Sequence, residues 1–111
     1  MTDVYDALET RDPGEREAAL MRALPAQIAA AQATTAFAQI LRGVDAGDVN
    51  SRRALAQLPV TRKHELLERQ KAVRASDPFG GFSAIGWRTQ GAARAARRVF
   101  QSPGPIYEPE G

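Results

Sequence analysis

Apolar residues in the first half of the chain recur with the period of an α-helix. Asp12 before Pro13 is a typical helix start. The Asp side chain accepts hydrogen bonds from the free N–H groups of the first turn, and Pro, which has no N–H group, is favoured at the first helical position because that N–H has no partner within the helix. Pro25 predicts a kink in this helix, or two abutting helices. We expect the helical run to pass two threonines and to end with Gly43 as its C-cap. The predicted buried face consists of Leu20, Leu24, Ile28 and Ala31.

Two shorter helices are predicted in the middle of the chain. Asn50 or Ser51 can cap the first, and Pro59 stops it. Thr61 is the expected cap of the second, over residues 62–69. The first helix carries Leu55 and Leu58, and the side chains expected to face inward from the second are Leu66, Leu67 and Val73.

The last third of the chain carries loop signals and then strand signals. Residues 77–82 form a predicted loop with two aromatic anchors, and residues 83–93 show no usable period. The β-formers Val99 and Phe100 predict one short strand that runs into a Ser/Gly/Pro turn. The predicted fold is therefore mainly α, with four or five helices and one terminal strand. It divides into a helical section 1–76, a loop or linker 77–97, and a strand with its closing turn 98–111.

Composition excludes several kinds of site. The 111 residues include no cysteine and one histidine, His64, which excludes a disulfide framework, a thiolate nucleophile and a multi-histidine metal site. No run of about 18 apolar residues is present, and residues 1–6 lack the features of a secretory signal. We expect a soluble cytoplasmic protein with no membrane partner. Much of its apolar content is alanine, which buries little area, so we expect a marginal domain that needs another protein surface.

The net charge of +2 conceals an uneven distribution. Residues 1–51 carry eight acids and four bases, whereas residues 52–98 carry eleven bases and three acids. The basic segment can attract polyanions such as nucleic acid, CoA or nucleotide phosphates, or it can pair with acidic protein surface. One hypothesis is therefore a small non-enzymatic helical protein that binds nucleic acid or an acidic partner. The spread of the bases over several elements, with Glu65 and Glu68 inside the densest helix, disfavours it.

Three stretches, taken in order, resemble the N-terminal part of phenylacetate-CoA ligase and related adenylate-forming acyl-CoA ligases. Residues 58–66, Leu-Pro-Val-Thr-Arg-Lys-His-Glu-Leu, are similar to the family's Leu-Pro-x-Thr-x-Lys-x-x-Leu. Residues 77–82, Asp-Pro-Phe-Gly-Gly-Phe, resemble its Tyr-Pro-Phe-Gly-x-Phe. Residues 98–102, Arg-Val-Phe-Gln-Ser, stand where the family has a strand running into its phosphate-binding loop. We call these stretches the first, second and third landmarks.

The resemblance implies a fold and a reaction. The chain would be the opening section of a larger α/β ligase domain, with the remainder of the ligase or another protein surface as its partner. Such enzymes use Mg²⁺ and ATP to convert a carboxylic acid, here an aryl- or arylalkyl-carboxylate, into an acyl-adenylate, and then transfer the acyl group to CoA. The resemblance places no catalytic and no metal-binding residue within the 111 positions. We therefore expect the isolated chain to be inactive and to bind none of these cofactors.

The closing loop departs from the family's Ser-Ser-Gly-Thr-Thr-Gly-Lys-Pro pattern. Ser102 and Gly104 are the candidate phosphate-contacting residues, with an ordinary turn as the alternative. Pro103 and Pro105 have no N–H group, and Glu108 places a negative charge where the family has its lysine. The positions that match the pattern are Ser102, Gly104 and Pro109.

Other side chains have two interpretations each. Arg62 and Lys63 can contact a CoA phosphate or form a solvated helix face, which is the favoured interpretation. His64 is interpreted as a surface residue, because neither a nucleophile nor a fixed carboxylate lies near it in sequence as in a catalytic pair. Phe79 and Phe82 are interpreted as packing anchors rather than walls of an acyl pocket.

Overall fold

A computed structural model describes residues 3–85 and 96–110. Within these ranges the chain is mostly helical, as predicted, and ends in a two-stranded antiparallel sheet instead of the single predicted strand. The part of the predicted linker that covers residues 86–95 lies outside the described residues. No helix in 3–85 or 96–110 is long and apolar enough to cross a membrane. The elements are α1 (Pro13–Gln32), α2 (Thr35–Ile40), a 3₁₀ turn (Ala46–Asp48), α3 (Arg52–Leu55), α4 (Lys63–Val73), β1 (Arg98–Gln101) and β2 (Tyr107–Glu110).

The predicted start of α1 is confirmed, but its predicted end is wrong. The Asp12 carboxylate accepts from the Glu15 N–H at 3.1 Å, and Pro25 lies inside one helix rather than between two. The helix ends at Gln32 because Thr34 redirects the backbone. Its hydroxyl donates to the Ala31 carbonyl at 2.7 Å and accepts the Phe37 N–H at 3.4 Å, so it caps a separate α2.

The hydrophobic core is small and lies at the C-terminal end of α1. Its buried centre consists of Ile28, Leu41 and Val49. Two further residues are buried, Ala36 in α2 and Phe79 in the 77–82 loop. The N-terminal half of α1 is less covered than its periodicity predicts, since Leu20 remains half exposed. Val73, which was predicted to face inward, is also exposed, as is Leu55.

The caps of the middle helices agree only in part with the sequence pattern. Ser51 caps α3, as its hydroxyl accepts the Ala54 N–H at 3.1 Å. The prediction of Thr61 as the cap of α4 is wrong, because the helix begins at Lys63 and Arg62 occupies the cap position. The Glu65 carboxylate accepts the Arg62 N–H at 3.4 Å, which supplies the acidic partner of the first turn.

The closing segment is a β-hairpin. The backbone N–H of Ser102 donates to the Ile106 carbonyl at 2.9 Å, and the Ser102 hydroxyl accepts the Ile106 N–H at 3.2 Å. Gly104 adopts a φ of 116°, which a residue with a side chain rarely reaches. These contacts reverse the chain within a few residues, so Tyr107–Glu110 returns along β1 as a second strand that the β-propensity pattern had not predicted.

Candidate functional site

Gln70 joins α4 to the hairpin and to the 77–82 loop. Its side chain is 4% exposed. Its amide nitrogen donates to the carbonyl of Tyr107 at 3.0 Å and to that of Phe79 at 3.4 Å, while its amide oxygen accepts the Tyr107 N–H at 3.0 Å. The amide thus pairs with Tyr107 as a neighbouring strand would. We call this arrangement of Gln70, Phe79 and Tyr107 the Gln70 clamp.

The loop held by the clamp depends on one carboxylate and two glycines. Asp77 accepts the N–H groups of Phe79 and Gly81, both at 2.9 Å. Gly80 and Gly81 have φ angles of 68° and 80°, in the left-handed region that favours glycine. A Cβ on Gly80 would lie 2.9 Å from Cγ of Gln70, so the clamp also requires the absence of a side chain there.

The same loop is fixed to α2 on its other side. The Ala36 N–H donates to the Gly81 carbonyl at 2.9 Å. The Phe82 ring meets the Phe37 ring edge to face, with centroids 5.3 Å apart. Phe79 is 1% exposed, so the packing interpretation of the two phenylalanines agrees with their positions. Phe82 also contributes to two concave surfaces, which gives it a second contact face.

The first concave surface is a groove of about 180 Å³ between α4, the 77–82 loop and the hairpin. Its walls are mostly apolar. The first and second landmarks and the returning side of the hairpin supply these walls, which include Leu66, Phe79, Phe82, Ile106, Tyr107 and Pro109. The groove therefore lies where three segments that are distant in sequence meet.

The second concave surface is a cavity of about 380 Å³ that shares Leu66 and Phe82 with the groove. Ile40 and Pro59 add to its apolar lining, and Arg69 and Glu65 bring one positive and one negative charge to it. The Arg69 guanidinium lies 5.9 Å from the Phe82 ring centroid and donates to the Gln39 side chain at 2.9 Å. An apolar wall with a positioned guanidinium and a carboxylate is suited to a small, mainly apolar molecule with a few polar groups.

The predicted phosphate-contacting residues lie in the turn of the hairpin. The Ser102 hydroxyl is occupied as an acceptor for the Ile106 N–H, and Gly104 is at the exposed tip. Lys63, from the start of α4, donates to the Pro103 carbonyl at 3.4 Å. Its Nζ lies 3.4 Å from the position that a Cβ on Gly104 would take. The structure thus brings Lys63 to this turn, although the sequence separates them by 40 residues.

Gln70 is the residue of this site that sequence reasoning missed. It is an uncharged polar side chain in a helix with few apolar residues, which normally indicates a solvated position. The one usable signal is its place four residues after Leu66, on the same helix face. His64, by contrast, lies exposed at the start of α4, as the surface interpretation expects.

Several bases of the segment 52–98 have acidic partners. Arg52 donates to the Glu17 carboxylate through two nitrogens, with Nη2 at 2.7 Å. This hydrogen bond holds the pKa of Glu17 below its usual value of 4.5 and raises the pKa of Arg52. Lys71 pairs with Glu68 at 3.1 Å, and Arg98 pairs with Glu110 at 3.3 Å. The acidic partners of Arg52, Lys71 and Arg98 lie on three different elements, α1, α4 and β2.

Within residues 3–85 and 96–110, no cluster of three His, Cys, Asp or Glu side chains could hold a metal ion. The arrangement holds the hairpin against α4, presents apolar walls with Arg69 and Glu65 in the cavity, and places Lys63 at the hairpin turn. No protein-family model matches the chain, and no curated protein and no solved structure matches it.

Proposed function

We propose that the chain is the N-terminal segment of an ATP-dependent acyl-CoA ligase resembling phenylacetate-CoA ligase. The reaction converts a carboxylate, ATP and CoA into acyl-CoA, AMP and diphosphate, and the 111 residues alone do not catalyse it. The observation that carries the proposal is the Gln70 clamp. It joins α4, which begins within the first landmark, to the second landmark and to the hairpin that the third landmark begins.

The meeting of the three landmarks supports a common task. A resemblance made only of scattered short matches gives no reason for the matched stretches to touch. Here the first and second landmarks line one groove together with β2 of the hairpin that the third landmark begins, and Leu66 and Phe82 also line the neighbouring cavity. In the proposed ligase, the segment presents the hairpin turn at a set orientation to the nucleotide, and the Mg²⁺ and CoA contacts come from residues outside this chain.

Lys63 provides a possible substitute for the lysine that the closing loop lacks. Glu108 occupies the corresponding position in the sequence, and its charge opposes a phosphate. The Lys63 ammonium group reaches the turn from α4 and contributes a positive charge beside Gly104. A single exposed ammonium is a weak phosphate ligand, so we expect no ATP binding by the isolated chain.

The alternative, nucleic-acid binding through the segment 52–98, is disfavoured by the distribution of its charges. Arg52, Lys71 and Arg98 have acidic partners on three different elements, and Arg69 is held by Gln39 and the Phe82 ring. A duplex-reading surface needs its bases on one face, free to contact successive phosphates.

A chimeric enzyme tests the proposal. This chain replaces the corresponding N-terminal segment of a phenylacetate-CoA ligase, and acid-dependent exchange of pyrophosphate into ATP is measured. We expect exchange by the chimera. In the chimera, Gln70→Glu should lower the exchange rate about tenfold or more. The new carboxylate cannot donate to the Tyr107 carbonyl, and its charge would be buried, so the hairpin should no longer be held in place.

Gln57→Glu is the matched control, since Gln57 is exposed and the change is identical. A folded, soluble chimera without exchange would contradict the proposal. So would binding of nucleic acid by the isolated chain with a Kd near about 10⁻⁸ M at physiological salt, the affinity of a specific reader.

A further inference from the structure

The two edges of the β1–β2 hairpin differ in their capacity to accept another strand. On β2, the backbone N–H and C=O of Tyr107 are both occupied by Gln70. Pro109 has no N–H to offer. The outer edge of β2 is therefore closed to strand addition.

The outer edge of β1 is open within the part of the chain that the structure describes. Because the Ser102 N–H bonds to Ile106 across the hairpin, every second residue back from Ser102 directs its backbone groups toward β2. The backbone groups of Val99 and Gln101 consequently point away from β2. No residue in 3–85 or 96–110 forms a hydrogen bond with them. The side chain of Phe100 between them is 52% exposed.

We propose that β1 pairs with β1 of a second copy of this chain, antiparallel about a twofold axis at Phe100. In this register Val99 exchanges two backbone hydrogen bonds with Gln101 of the second copy, and the twofold axis repeats the exchange. The two Phe100 rings meet across the axis as a non-hydrogen-bonded pair, in which side chains are closest. The two hairpins become one four-stranded sheet.

The charges on β1 favour a second copy in this orientation. Arg98 is already neutralised by Glu110 of its own hairpin at 3.3 Å, and the antiparallel register places it opposite Ser102 of the second copy. An in-register parallel pairing of the same two edges cannot form its hydrogen bonds, because it would place Val99 opposite Val99, and a parallel ladder requires a residue with outward backbone groups to lie opposite one without them. No acidic or basic side chain has to be buried in the antiparallel pair.

The expected dimer is weak. One four-residue edge buries far less than the roughly 800 Å² per partner of a standard interface, so we expect a Kd of about 10⁻⁴ M. The inference does not depend on the proposed ligase function, because it concerns the edge of the hairpin in the 111-residue chain itself.

Cross-linking tests the register. The chain has no cysteine, so a Phe100→Cys variant can form a disulfide only between the position-100 cysteines of two molecules. The twofold register puts the two Cα atoms of position 100 about 4.5 Å apart, within disulfide range. The two Cα atoms of position 101 are about 9 Å apart, beyond it. We expect mild oxidation to cross-link Phe100→Cys much faster than the control Gln101→Cys, and equal rates would overturn the proposal.

Sedimentation equilibrium tests the association without cysteines, from about 10 µM to about 1 mM protein around the expected Kd. Gln101→Pro, which removes an outward N–H, and Phe100→Arg, which opposes two charges on the axis, should each leave the protein monomeric. Tyr5→Arg is the matched control, because it removes another exposed aromatic ring far along the chain and should leave the dimer unchanged. A monomeric parent chain, or a dimer that survives both hairpin variants, would overturn the proposal.

Discussion

At the scale of single residues, Gln70 carries the contacts that hold α4, the 77–82 loop and the hairpin together. A buried amide is stabilising only while its hydrogen bonds are made, and all three of its contacts are with backbone groups. The Tyr107 backbone gains from Gln70 the bonds that a third strand would otherwise supply. Gln70 therefore makes a large contribution to the docking of the hairpin on α4.

We predict that Gln70→Leu, which keeps the size and removes the amide, lowers the free energy of unfolding by about 2–3 kcal/mol. The loss arises because Tyr107 is left with unpaired backbone groups at a partly buried position. Denaturant unfolding followed by circular dichroism measures the change. Gln57→Leu, at an exposed position, should cost less than about 0.5 kcal/mol. Equal losses in the two variants would contradict a special role of Gln70.

The Glu17–Arg52 pair predicts an acid-dependent stability. The folded-state pKa of Glu17 lies below its usual 4.5, so the stabilisation is complete above pH 4.5 and is lost as the pH falls through the lowered folded value. Between about pH 6 and about pH 3, the parent chain should lose more thermal stability than Glu17→Gln. Because the pair is exposed, salt should reduce the difference. The same pH dependence in both proteins would show that the pair contributes nothing.

At the scale of elements, the 77–82 loop acts as a connector between α2 and α4. Asp77 closes its backbone turn, Gly81 accepts from α2, and Gly80 lies against Gln70 of α4. The loop is therefore specified by hydrogen bonds as well as by its buried phenylalanine. Its glycines are needed for two separate reasons, the left-handed backbone and the close approach of a neighbouring element.

Two glycine substitutions separate these reasons. Gly80 and Gly43 both have a positive φ, at 68° and 82°, but a Cβ meets Gln70 at Gly80 and open space at Gly43. We predict that Gly43→Ala costs about 1 kcal/mol, from the backbone alone. Gly80→Ala should cost about 2–4 kcal/mol, because a steric clash adds to the same backbone term. Unfolding free energies of both variants measure the difference, and similar values would mean that α4 moves aside without cost.

At the scale of the whole molecule, the chain is thinly packed. Its radius of gyration of 17.0 Å exceeds the value of about 13 Å expected for a compact domain of this length. Its buried apolar centre consists of Ile28, Leu41 and Val49, and Leu20 and Phe100 remain half exposed. Alanine-rich helices with little covered area gain little hydrophobic stabilisation.

We predict that the isolated chain unfolds with a midpoint below about 65 °C, the upper end for mesophile domains, and with low cooperativity. Scanning calorimetry at low protein concentration measures it, so that the proposed dimer makes no contribution. A sharp transition above that temperature would show that the small core is sufficient and that no further protein surface is needed.

Local signals in the sequence were enough to determine the helical class, the start of α1 at Asp12, a cap at Asn50 or Ser51 and the anchoring role of Phe79. These features depend on a residue and its near neighbours, through capping oxygens, fixed proline geometry and the placing of an aromatic ring in a loop. They can be predicted because their partners lie a few positions away.

Tertiary structure alone decided the features that depend on distant partners. The second strand forms because the Ser102–Ile106 turn reverses the chain and because Gln70 supplies its outer hydrogen bonds, neither of which strand propensity records. Lys63 reaches the turn across 40 residues, and Leu20 stays exposed although its period predicts burial. Periodicity states which face of a helix can be buried, and only the packing of other elements determines whether anything covers it.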